Sequence, residues 1–237
     1  FLFILLFLSF RVFSQEDVSF EYYSVKNGLS QNTVMAIMQD SKGFMWFGTW
    51  DGLNKFDGYE FTVFKSHPGD QSNITTNRID YIHEDKLGYI WFQTYDGRIH
   101  RFDPRKEKFY SLPFATSRYS YGVERNRRFI ETSNGELWIA TNDIGAIRVV
   151  TDPESGEITT YEYSTFSKNQ ISDNLVNFVQ EDQQKNIWLG TNNAIHCINT
   201  ESNQITTYQP GSNSSANSFH SFLSTKSFIW FGDRNGV

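Results

Sequence analysis

Gly43-Phe44-Met45-Trp46-Phe47-Gly48-Thr49-Trp50-Asp51-Gly52-Leu53 reads as a glycine-bearing turn, an apolar strand with a tryptophan inside it, and a second turn. The pattern returns as Gly88-Tyr89-Ile90-Trp91-Phe92-Gln93-Thr94 and Gly135-Glu136-Leu137-Trp138-Ile139-Ala140-Thr141. It returns again as Asn186-Ile187-Trp188-Leu189-Gly190-Thr191 and Phe228-Ile229-Trp230-Phe231-Gly232. Successive tryptophans lie 45, 47, 50 and 42 residues apart. A near-constant period of this length marks stacked supersecondary units.

Around Trp46 the unit can be written out. Asn32 to Gln39 is a strand, and Asp40-Ser41-Lys42-Gly43 has hairpin-turn chemistry. Phe44–Thr49 is the second strand, Leu53–Phe56 the third and Tyr59–Phe64 the fourth, with Asp51-Gly52 and Asp57-Gly58 as turns. The third strand carries a basic residue before its last apolar one at Lys55, Arg101 and Arg148, where the fourth copy has Cys197. One four-stranded sheet with bulky residues on both faces cannot bury them alone, but sheets stacked around an axis can. The expectation is an all-β fold, a β-propeller of four-stranded antiparallel blades, in preference to a sandwich or open barrel. Repeats fall at about 24–64, 69–112, 117–163, 167–208 and 212–237. That makes four full blades, half of a fifth, and an orphan outer strand at Val18–Tyr23 that would complete a last blade. The ring is therefore expected to be incomplete in these 237 residues.

Composition narrows the function classes. Aromatics at 17%, with 22 Phe and 12 Tyr, favour strands. A net charge of -6 argues against a duplex nucleic-acid binder. The single cysteine, Cys197, excludes an internal disulfide and a Cys-built zinc site. Residues 1–10 are almost wholly apolar, too short a run to span a bilayer as a helix. They read as the core of a secretory signal over residues 1–14, its charged leading region truncated.

The motifs Gly28-Leu29-Ser30-Gln31-Asn32-Thr33-Val34, Asp40 to Thr49 and Asp51-Gly52-Leu53-Asn54-Lys55-Phe56-Asp57 resemble the two-component regulator propeller repeat. The second and fourth copies are similar; the third departs between Tyr121 and Phe129. The resemblance covers roughly residues 18–237. It implies the periplasmic sensor region of a hybrid sensor histidine kinase from a glycan-using Gram-negative bacterium, anchored in the inner membrane. In that family two seven-bladed propellers precede an immunoglobulin-like domain, one membrane helix and the kinase. It further implies an oligosaccharide ligand, signalling to glycan-utilisation genes, and a homodimer in the whole receptor. The kinase would lie in the parent protein, not in these residues. A secreted lyase-like propeller enzyme and a protein-interaction scaffold are the alternatives.

Sequence offers little chemistry. The five histidines show no metal-ligand spacing, there is no nucleophile elbow or phosphate loop, and no cofactor is expected. Glu84-Asp85 and Glu181-Asp182 read as solvated hairpin-turn carboxylates. Trp46, Trp91, Trp138, Trp188 and Trp230 read as blade packing, whereas Trp50, in a turn, has a better claim to exposure. The one cluster that suggests a ligand site is Arg125, Arg127 and Arg128, with Arg78 in the equivalent place one blade earlier. Arginines there could hold the acid group of a sugar. Alternatively they pair with Glu124 and Glu131 and only stabilise an irregular blade.

Overall fold

The computed structural model describes residues 19–66, 74, 76–115, 129–209 and 218–233, without the side chains of 113–115. The repeats fold into successive antiparallel sheets. Blade one is β1 (Val34–Gln39), β2 (Met45–Thr49), β3 (Gly52–Phe56) and β4 (Phe61–Phe64). Blade two is β5 (Ile79–Glu84), β6 (Ile90–Thr94), β7 (Arg98–Asp103) and β8 (Lys108–Ala115). Blade three is β9 (Phe129–Glu131), β10 (Leu137–Ala140), β11 (Ala146–Thr151) and β12 (Ile158–Ser164), extended by a parallel pair with β13 (Asn169–Gln170). Blade four is β14 (Val176–Glu181), β15 (Ile187–Thr191), β16 (Ile195–Asn199) and β17 (Gln204–Tyr208). Blade five contributes β18 (Ser221–Ser224) and β19 (Ile229–Gly232). Within each sheet the strands pair in chain order, and among the described residues the sheets do not close into a ring.

Period-2 geometry explains the core. Alternate residues of a strand face opposite sides of the sheet. On β2, Trp46 packs with Ile79, Ile82, Ile90, Phe92 and Phe102 of blade two. On β6 the neighbours alternate: Ile90 and Phe92 look back to blade one, while Trp91 joins Phe129, Leu137 and Ile139 of blade three. On β10, Leu137 and Ile139 look back, and Trp138 packs with Val176, Val179 and Leu189 of blade four. Trp188 repeats the step against Phe222 and Phe231 of blade five. Each core therefore lies between two blades. Trp46, Trp91, Trp138 and Trp188 are at most 8% exposed, whereas Trp230 is half exposed; among the described residues no further sheet covers it.

At the N-terminal side, residues 19–24 join no ladder among the described residues. The Tyr23 ring packs on Phe56 and Phe61, covering part of blade one's outward face. Ser24 then caps a single 3-10 turn, Val25–Asn27, which ends at Gly28 with φ 104°.

Candidate functional site

Turn chemistry fixes most of the polar residues the sequence brings forward. In the first hairpin of blades one, two and four, one aspartate oxygen accepts backbone N–H groups two and four residues on. The pairs are Lys42 and Phe44 for Asp40, Leu87 and Tyr89 for Asp85, and Gln184 and Asn186 for Asp182. The other oxygen accepts the indole N–H: Trp46 to Asp40 at 2.7 Å, Trp91 to Asp85 at 2.6 Å, Trp188 to Asp182 at 2.7 Å. The expectation of solvated carboxylates at Glu84-Asp85 and Glu181-Asp182 is therefore corrected. Asp85 and Asp182 are buried, and burial pushes the Asp85 pKa upward against its hydrogen bonds. The preceding glutamates latch neighbouring blades together. Glu84 accepts Ser41 N and Oγ, Glu181 accepts Ser133 N and Oγ, and Glu131 accepts Lys86 N beside His83.

The second hairpin is capped in the same spirit. Thr49, Thr94, Thr141 and Thr191 are buried, and each hydroxyl donates to a carbonyl across the turn. In blade one Ser30 N donates to Asn54 Oδ1 at 2.8 Å, and Ser30 Oγ lies 2.8 Å from Thr49 Oγ1. In blade four Ser172 Oγ lies 2.9 Å from His196 Nε2, with Thr207 Oγ1 3.0 Å from Nδ1. A serine beside a histidine invites a nucleophilic reading. Asn54 does the same work in blade one, so the pair is a turn cap. Burial pushes the pKa values of His196 and His100 down to about 4.

Arg125, Arg127 and Arg128 lie outside the described residues. Arg78 stands at the entrance to β5. Its Nε donates to Asp80 at 2.9 Å, and its guanidinium lies 4.1 Å from the Tyr95 ring and 5.3 Å from the Trp50 ring. Backbone bonds set this arrangement: Tyr95 N donates to Arg78 O, and Gly52 N to Asn77 O. Trp50 and Tyr95 are each about half exposed (49% and 53%), and Lys65 pairs with Asp51 beside them. The turn ends of blades one and two thus present two aromatic faces joined by a cation, a surface suited to stacking a planar or ring-shaped ligand. The signal in the sequence was the aromatic that directly follows each buried threonine, at Trp50 and Tyr95 but Asn142 and Asn192 later. Among the described residues no group of His, Cys, Asp and Glu could hold a metal ion.

The model of the family described as "Two component regulator propeller" matches residues 28–51 and 170–193. These are the copies in which the serine cap and the Asp–Trp clamp occur together. A 56-residue stretch is 45% identical to "Histidine kinase P4" of Formosa agariphila, covering 24% of this chain and 4% of the kinase. Among solved structures, virginiamycin B lyase from Staphylococcus aureus aligns over 86% of this chain and 68% of its own, at 17% identity and a TM-score of 0.50. That likeness shows the fold alone. The extracellular domain assigned to a hybrid two component system of B. thetaiotaomicron aligns over 90% of this chain and 34% of its own, at 20% identity and a TM-score of 0.46. The chain thus spans a small part of the curated kinase and about a third of that extracellular domain. The chain is a β-propeller, and two of its segments match the model of the two component regulator propeller.

Proposed function

We propose that this chain is a ligand-sensing part of a membrane-bound hybrid sensor histidine kinase, held in the periplasm, and that its ligand is an oligosaccharide. The observation that carries the reading is the Trp50–Arg78–Tyr95 surface on a propeller of this repeat type. Exposed aromatics at a fixed spacing suit the apolar faces of sugar rings, and the flanking Asp51, Asp80 and Lys65 suit their hydroxyls. A ligand can signal only by favouring one of two receptor states, so binding there would shift a dimer equilibrium that the kinase reads. The similarity to a histidine kinase over 56 residues supports that output.

The test is calorimetric titration of the intact protein with a panel of neutral and acidic oligosaccharides. One saccharide class should bind, and Trp50→Ala or Tyr95→Ala should each weaken it about tenfold or more, the loss of one stacking contact. Absence of binding across the panel, or unchanged affinity in both variants, would overturn the reading.

A further inference from the structure

Arg101 is a buried cation without a hydrogen-bonded anion. It sits on β7 directly across from Trp91, and it is 4% exposed. Its guanidinium is boxed by rings, 4.2 Å from Tyr89, 4.9 Å from Tyr110 and 5.9 Å from Trp91. Its Nε and Nη1 are buried and meet no hydrogen-bond partner. The nearby carboxylates are committed elsewhere. Asp85 accepts from Leu87, Tyr89 and Trp91, and Asp103 accepts Arg105 N and Nε.

Blade three shows what is missing. Its equivalent cation, Arg148, stands across from Trp138 and holds Glu136 through both Nε and Nη2. Glu136 is two residues before its tryptophan; blade two has Tyr89 in that slot. Blade two thus has the cation without the carboxylate. Beside Tyr89 lies a cleft of about 470 Å3 between blades two and three, whose walls include Arg101, Asp103, Tyr110, Ser155, Glu157 and Thr160. Burying a guanidinium with unmet donors is costly, and burial pulls its pKa below the usual arginine range.

We propose that this cleft is a carboxylate-binding site, in which Arg101 takes the acid group of a small hydroxylated ligand. The ring walls would hold the ligand body and the Ser155 and Thr160 hydroxyls its polar edge. The β7–β8 and β11–β12 turns place the cleft at the opposite blade end from Trp50 and Tyr95, so it stands independently of the sensor reading.

The experiment titrates the intact protein with sodium glucuronate, with glucose, which lacks the acid, and with acetate, which lacks the hydroxyls. Glucuronate should bind about tenfold or more tightly than either control, since a charge-assisted hydrogen bond is at stake. Arg101→Met should remove that preference while leaving the unliganded melting temperature unchanged or higher, because an unpaired buried charge is replaced by an apolar chain. Thr160→Trp, an exposed wall residue, should also abolish glucuronate binding without touching the cation. Equal affinities for glucuronate and glucose, no glucuronate binding at all, or wild-type glucuronate affinity in either variant would overturn the site.

Discussion

Trp138 is where the repeat breaks at the level of one atom. Its buried Nε1 has no acceptor, because Thr132 occupies the place of Asp40, Asp85 and Asp182. Thr132 still accepts Glu136 N, but the indole bond and the bond from the N–H two residues on have no counterpart there. Thr132→Asp should restore the indole bond and stabilise the fold by about 1 kcal/mol. For a chain of this size that raises Tm by roughly 3 °C, readable in a thermal melt; no rise would show that the clamp is not limiting. His100 and His196 give a pH prediction. Both are held neutral, with pKa values of about 4 against 6.5 in the unfolded chain. The unfolded state therefore takes up protons first as pH falls. The stability gained from keeping them neutral is complete above pH 6.5 and is lost between there and pH 4, on the order of 3 kcal/mol per site. His196→Asn, which copies Asn54, should keep the cap and flatten part of that acid loss in urea titrations at pH 7 and pH 4.5.

At the scale of the strand, Gly48, which follows the apolar pair Trp46-Phe47, has a steric reason. A Cβ on Gly48 would stand 2.8 Å from Ile79 Cγ2, across the gap to blade two. Gly48→Val should force β5 away from β2 and cost about 1–3 kcal/mol by overpacking, measured by chemical denaturation. A glutamate latch acts between neighbouring blades at the other end of the strands. Glu181→Ala strips Ser133 N and Oγ of their acceptor. A loss of about 1–3 kcal/mol is expected, with Glu181→Gln intermediate because one acceptor oxygen remains. Equal losses for Ala and Gln would mean that the charge, not the pair of hydrogen bonds, carries the latch.

For the molecule as a whole, stability is shared between neighbouring blades, so the last face matters. Leu223, Phe228 and Trp230 are 60%, 66% and 50% exposed on blade five. This chain on its own should self-associate through that apolar face, seen as concentration-dependent sedimentation. Trp230→Glu should shift it toward monomer; a wild-type chain that stays monodisperse across concentrations would refute the idea. The same logic separates the tryptophans. Trp46 is buried because blade two lies against it, and Trp230, which shares its Trp-Phe-Gly sequence, is not.

Periodicity was enough to read the blades. Strand alternation, turn residues and a recurring tryptophan are local properties, and the sheets form where they place them, down to the Gly-Thr turn at Thr49 and Thr191. The extent of Ser19–Ser24 and the fate of Glu84, Asp85, Glu181 and Asp182 were not legible. Whether a glutamate is solvated or latched depends on which blade its hairpin meets, a contact some 40 to 50 residues away in the chain, whereas Asp85 and Asp182 are bound within their own hairpins and buried by the stack. The site candidates diverged for the same reason. Arg78 is legible in the sequence beside the arginines at 125–128, but its place between the Trp50 and Tyr95 rings and the unmet donors of Arg101 emerge only from the packed strands. A repeat specifies its own sheet through neighbouring residues, whereas the chemistry between sheets arises from packing, and packing is set by the whole stack.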